Sequence, residues 1–168
     1  MKFTISATEL NAKLIALAKV MNSKVALPIY STFLLELKDG VLRITASDMD
    51  CSRCSTLPVI DMDGANGHSE SICVTASFLL DSLKNLGDQP VTFEADEENL
   101  SVVIRYNNGQ FDMVGFPAKD YVLPGTMEKN VKATIEASVL NDSIGKSLYA
   151  VGNDDLRPIF CGIYFTKK

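Results

Sequence analysis

The chain contains no tryptophan, a single histidine (His68) and fewer basic than acidic side chains, 16 Lys and Arg against 21 Asp and Glu. His68 follows the turn-rich stretch Asp61-Met62-Asp63-Gly64-Ala65-Asn66-Gly67, and without a placed Ser or Cys partner it is a weak basis for nucleophilic catalysis. The net charge of −5 argues against general affinity for nucleic acid, which is mostly phosphate neutralisation. Net charge does not report a locally basic face, so a nucleic-acid binder is not excluded. No apolar run approaches the roughly 20 residues of a membrane span, and Leu14 to Ala18 is closed by Lys13 and Lys19. Met1 to Ser6 lacks the apolar core of a signal peptide, which leads to the expectation of a cytoplasmic protein.

Cysteine is sparse as well. Of Cys51, Cys54, Cys73 and Cys161 only the first two have ligand-like spacing, and a zinc ribbon needs a second pair. Their surroundings read as strand, where residues three apart point to opposite faces. Neither metal nor cofactor is expected. Asp48, Asp50, Asp61 and Asp63 lack the order of a calcium loop and its terminal Glu, so they read as solvated turn acids. What remains is an ordinary globular composition, 46% hydrophobic and 22% charged over 168 residues. That length holds one domain plus a fragment, or two small domains.

The informative feature is repetition. At an offset of 130 residues, 3 to 36 align without a gap to 133 to 166, with seven identical pairs: Thr4/Thr134, Ile5/Ile135, Ala7/Ala137, Leu10/Leu140, Asn11/Asn141, Pro28/Pro158 and Ile29/Ile159. About two are expected by chance from average usage. A weaker repeat lies inside the first 125 residues. Ile5-Ser6-Ala7-Thr8 matches Val74-Thr75-Ala76-Ser77 at offset 69, and Leu35-Glu36 matches Phe93-Glu94 at offset 58.

Each copy reads locally as β-α-β-β-β. Lys2 to Ser6 is a short strand, and Ser6 and Glu9 have capping-box spacing. The following helix carries the stripe Leu10, Leu14, Leu17 and Met21. Leu27-Pro28-Ile29 ends it. Phe33 to Lys38 and Val41 to Ser47 form a hairpin across Asp39-Gly40, and Cys51 to Val59 adds a strand. The second copy has a strand at 71–74, a helix from Ala76 to Leu86, and strands near 91–95, 100–105 and 110–115, the last two joined at Asn107-Asn108-Gly109. The expected fold is α+β, two helices on one side of antiparallel sheets. The expected divisions are a first domain over 1–121, a linker over 122–129, and the start of a second domain over 130–168. That start comprises a strand from Val131 to Glu136, a helix from Ala137 to Val151 and a strand from Ile159 to Thr166. The reading is of a truncated repeat.

Met1-Lys2-Phe3-Thr4-Ile5, Leu27-Pro28-Ile29, Leu34 to Gly40, Leu42 to Asp48, Val74-Thr75-Ala76, Gly115 to Tyr121 and Arg157-Pro158-Ile159 carry a resemblance along the whole chain. Together, in this order, they resemble the N-terminal region of the bacterial DNA polymerase III β subunit family, the replicative sliding clamps. The resemblance implies a DNA-clamp fold and a non-catalytic processivity role. Three such domains per chain pair head to tail in a homodimeric ring around duplex DNA, tethering the replicative polymerase and receiving the peptide tails of polymerase and clamp loader. It implies DNA contact for Lys24, and Lys13, Lys84 and Lys146 stand on expected helices that would line the hole. Part of the peptide pocket matches Arg157, Ile159 and Phe160. The first domain's edge strand would place Gln110, Phe111 and Met113 at the subunit interface. Ser77 and Phe78 depart from the family, some members of which are basic there, so the DNA-facing charge is thin. Two other readings stay open: a stand-alone clamp-like interaction module, and a small thiol-dependent enzyme using Cys51 and Cys54.

Overall fold

Ser6 ends the first strand and opens the first helix. In the computed structural model, which describes residues 1–21, 27–62, 69–125, 133–154 and 156–166, its Oγ accepts the Glu9 amide at 3.4 Å. Strand β1 (Lys2–Ser6) therefore turns directly into α1 (Ala7–Ala18). Leu10, Leu14 and Leu17 form the buried stripe, and Met21 packs half-buried against the same core. Pro28 starts a 3-10 turn over Pro28–Ser31, where its missing N–H costs nothing. Then come β2 (Thr32–Lys38) and β3 (Val41–Ser47). Asp39 and Gly40 between them both take positive φ, +49° and +76°, the geometry of a type I′ hairpin turn. Strand β4 (Ser52–Pro58) completes the first copy, and the two-residue β5 (Asp61–Met62) follows.

The second copy comprises β6 (Glu70–Thr75), α2 (Ala76–Leu83), β7 (Pro90–Ala95), β8 (Ser101–Tyr106) and β9 (Gly109–Val114), with a short β10 (Phe116–Pro117) after it. Helix α2 stops three residues before the expected Leu86. The Leu86 amide bonds the Leu83 carbonyl in a tighter turn, and Gly87 at φ +66° takes the left-handed conformation that ends helices.

The strands do not pair copy by copy. One sheet runs β5-β1-β7-β8-β9 and the other β10-β6-β2-β3-β4. Each copy gives its first strand to the sheet built from the other copy's last three. Phe3 of β1 thus lies opposite Phe93 of β7, the rings stacked at 5.2 Å. One continuous core takes Leu10, Leu14 and Leu17 from α1, Leu79 and Leu83 from α2, and inward residues of both sheets. A smaller cluster of Tyr30, Leu34, Cys73 and Tyr121 covers the outer face of the second sheet. The chain reaches it past Gly115, where a Cβ would come within 2.9 Å of the Cys73 carbonyl.

Cα packing divides the chain into two units, 1–125 and 126–168. In the second, α3 spans Ala137–Leu148 and a 3-10 turn spans Pro158–Cys161. Both lie 130 residues beyond α1 and the first 3-10 turn, so the local structure restarts where the repeat requires. Helix α3 ends at Leu148 rather than Val151, whose amide closes a turn on the Leu148 carbonyl. The two flanking strands do not form: residues 133–136 and 162–166 are irregular, while Val131 and Lys132 lie outside the described residues. A strand exists only by pairing, and the described residues of this unit offer no partner ladder of the kind that β3 and β6 give β2.

Candidate functional site

Helices α1 and α2 pack against each other, and their outward residues form one candidate surface. Lys13 and Lys19 are exposed along α1 and its C-cap, and Lys84 is exposed at the C-cap of α2. None of the three is ion-paired among the described residues. Glu9 and Asp81 share the exposed faces of these helices, and Phe78 is exposed beside them, so the surface is mixed in sign. Arg53 of β4 does not add to it freely, because its Nη1 donates to the Ala16 carbonyl at 2.9 Å. Lys24 and His68 lie outside the described residues. On α3, Lys146 bonds Asp142 one turn earlier at 2.7 Å, the favourable i, i+4 order of acid before base. Its charge is locally compensated.

The edge strand β9 is the second surface. Its backbone alternates: Phe111 and Met113 turn inward, half-buried against the core, while Gln110, Asp112 and Val114 face out. Phe111 stacks on Tyr106 at 5.0 Å. Together with Phe78, Asp81, Ser82, Asn85 and Leu86 these rings line a groove of about 610 Å³ between α2 and the sheet edge. Gln110 is held from both sides, accepting from Arg105 and donating to Asp112 at 3.0 Å. Among the described residues the strand thus presents an unpaired backbone edge, an apolar groove on one face and a polar network on the other.

The third surface is the turn at 152–161. Arg157 donates from Nε to Asp154 Oδ2 at 2.7 Å, and its guanidinium stands 5.6 Å from the Phe160 ring centroid. Asp154 also accepts the Leu156 amide at 3.1 Å, and the Phe160 carbonyl accepts the Gly152 amide at 2.9 Å. Arg157, Ile159 and Phe160 are all exposed, Ile159 at 84%. This is a fixed cation flanked by apolar side chains.

Of the cysteines, Cys161 belongs to the third surface, exposed and with its Sγ donating to the Asp154 carbonyl at 3.4 Å, while the other three stand outside these surfaces. Cys51 precedes β4 and Cys54 lies within it opposite Thr45, both exposed. Burial pushes the Cys73 thiol up to about 12, so it is no nucleophile near neutral pH. Groups of three or more His, Cys, Asp or Glu able to hold a metal are absent among the described residues, as are helices long and apolar enough to cross a membrane.

The family model described as DNA polymerase III beta subunit, N-terminal domain, matches residues 1–124. The chain belongs to this family. It is 27% identical over 166 residues to the beta sliding clamp of Bacillus subtilis (strain 168), covering 97% of this chain and 44% of that protein. A crystal structure of the DNA polymerase sliding clamp of Pseudomonas aeruginosa with ligand superposes with a TM-score of 0.84 at 23% identity, over 95% of this chain and 42% of that one. The Helicobacter pylori beta clamp bound to DNA ligase peptide gives 0.80 at 23% identity, over 92% and 41%. The chain thus spans less than half the length of these β-subunit family members.

Two features of the site escaped the sequence reading of this family member. The groove beside Phe111 needs Phe78 and Tyr106 as well, and only the fold brings those three rings together. The one available signal was Phe78 standing off the buried Leu79/Leu83 stripe of α2. The Asp154–Arg157 bond had its own signal, an acid three residues before a base.

Proposed function

We propose that the chain is a portion of a replicative sliding clamp: a non-catalytic, cytoplasmic processivity factor that closes a ring around duplex DNA and tethers the polymerase. The observation that carries this reading is the family match over 1–124 joined to the restart of α1 and its 3-10 turn as α3 and Pro158–Cys161. The reading assigns 1–121 to a first clamp domain, 122–129 to a linker and 130–168 to the start of a second. Lys13, Lys24, Lys84 and Lys146 face phosphates, and such contacts carry no sequence information, which permits sliding. Gln110, Phe111 and Met113 lie at the subunit interface of a head-to-tail homodimer, where an open sheet edge needs a partner. Arg157, Ile159 and Phe160 form part of a pocket for peptide tails of the polymerase and clamp loader. The Helicobacter pylori beta clamp bound to DNA ligase peptide supports a peptide-binding role.

The test is duplex affinity against salt. The chain should bind weakly, with log affinity falling linearly with log salt and no preference among sequences. Replacing Lys13 and Lys84 together by Ala should lower that slope by about 1.8, roughly 0.9 for each phosphate no longer neutralised. Affinity indifferent to salt, or a slope the double variant leaves unchanged, overturns the DNA assignment of this face.

A further inference from the structure

The two repeat copies carry side chains of opposite character at one equivalent edge position. At offset 58, Arg53 of β4 falls on Phe111 of β9, and the strand pairing agrees: Arg53 lies opposite Ala46 and Phe111 opposite Ile104. At offset 69, Ala16 of α1 falls on Asn85, just beyond α2. Phe111 and Asn85 line the apolar groove between α2 and its sheet edge. Between α1 and β4 the same two positions hold a cation on a helix carbonyl, Arg53 Nη1 donating to Ala16 O at 2.9 Å. The Val20 amide bonds the Leu17 carbonyl rather than that of Ala16, which leaves the Ala16 oxygen to the guanidinium. That bond uses one of five N–H donors. Arg53 is exposed and has no ion pair among the described residues, and Asp48 in the turn before β4 accepts the Asp50 and Cys51 amides instead. Lys19, the C-cap of α1, is exposed one turn beyond Ala16. Two cations therefore stand at this end of α1 without a carboxylate to pair with among the described residues.

We propose that Arg53 is a duplex-phosphate contact: a sheet-borne cation, tethered to the end of α1, that carries the basic face of Lys13 and Lys19 past the helix onto β4. The inference rests on the DNA reading of that face and deepens it with a residue that does not belong to the helices. The tether to Ala16 limits the freedom of the side chain before any phosphate arrives, and the planar guanidinium keeps donors for the phosphate oxygens. Phe111 has no donor to offer at its own edge. Two sheet edges built on one plan thus meet different chemistry, an apolar surface at β9 and a phosphate at β4.

The experiment titrates a fluorescent duplex with the full chain over a series of salt concentrations, read by anisotropy. Arg53→Gln keeps a donor for the Ala16 carbonyl but no charge, and should lower the magnitude of the log affinity against log salt slope by about 0.9, the contribution of one phosphate. Arg53→Lys should hold the native slope, because an ammonium still neutralises a phosphate. An unchanged slope in Arg53→Gln overturns the contact while leaving the lysine face standing. A slope lowered as far in Arg53→Lys overturns it too, since the charge is still present. Affinity indifferent to salt in the native chain overturns the DNA reading and this inference with it. A second measurement needs no variant. Phenylglyoxal modification of the native chain, located by peptide mass, should slow at Arg53 under saturating duplex and stay as fast at Arg43 and Arg105, which pair with Glu36 and Glu94. Equal rates at Arg53 with and without duplex overturn the contact even where Arg53→Gln fails to fold.

Discussion

Helices α1 and α3 have the same length, twelve residues each, and are followed at the same distance by a 3-10 turn beginning with Pro. Their burial could hardly differ more. Leu10, Leu14 and Leu17 of α1 are at most 1% exposed, whereas α3 has no buried residue. The contrast continues beyond the helices: Tyr30 is 5% exposed and its counterpart Phe160 60%, Leu35 1% and its counterpart Phe165 61%. The same local code therefore produces the same helix and turn with or without a core around them. Burial is a separate matter, supplied in the first unit by α2 and by two sheets that exchange strands.

Truncating the equivalent stripe residues gives the largest expected effect. Leu14→Ala should cost about 2–5 kcal/mol of unfolding free energy in urea, from lost transfer and a residual cavity. Ile144→Ala, at the matching position of α3, should cost under about 1 kcal/mol, as for surface or half-buried sites. Equal losses at the two positions would mean that α3 is as well covered as α1, and the comparison would collapse.

Alkaline pH should separate the units next. Burial pushes the Cys73 thiol from 9.0 up to about 12, and Tyr121 from 10.0 up to about 12. Both groups are held protonated in the folded first unit, so their contribution is complete below the unfolded values. Stability should begin to fall above pH 9 as the unfolded chain releases the Cys73 proton, and faster above pH 10 when Tyr121 joins. Each group contributes a slope of up to about 1.4 kcal/mol per pH unit, flattening near pH 12. Denaturation of the first unit between pH 8 and 11 checks this, and Cys73→Ala should remove the slope between pH 9 and 10. A Cys73→Ala chain with the native slope there would assign the alkaline loss to some other group.

The smallest effect compares the helix starts. Ser6 caps α1 through its hydroxyl, while Glu136 at the start of α3 makes no side-chain cap bond. Ser6→Ala should destabilise by about 1 kcal/mol, and Glu136→Ser should raise α3 helicity by circular dichroism. A neutral Ser6→Ala would show that burial of α1 alone defines its first turn.

Much of the first unit was legible because its signals are local. Ser6 with Glu9, the Leu10/Leu14/Leu17 spacing and Asp39-Gly40 each act within about two helical turns, and each produced the expected element; α1, however, ends at Ala18, before Met21 and well before the expected stop at Leu27-Pro28-Ile29, and Pro28 opens a 3-10 turn rather than an extended segment. The strand exchange was not legible. Phe3 is equally apolar opposite any inward residue, and nothing near it in sequence selects Phe93, some 90 residues away. Over the described residues 133–136 and 159–166 the expected strands did not form for the same reason, since alternation proposes a strand and only a neighbouring ladder completes it. At the candidate site, the sequence placed Phe111 and Arg157 at surfaces but not what holds them. Tyr106 and Phe78 reach Phe111 through the fold, and Asp154 reaches Arg157 through the geometry of one turn.

From the sequence alone came where helices begin, where hairpins turn and the restart of the pattern after 130 residues, because dihedral preferences and caps depend on adjacent residues. Only the tertiary structure decided which copy supplies each strand, which leucine stripe is removed from water and which lysine keeps its charge uncompensated. Those outcomes depend on the partner a residue meets across space, and hydrophobic burial and strand pairing are defined only once that partner is in place.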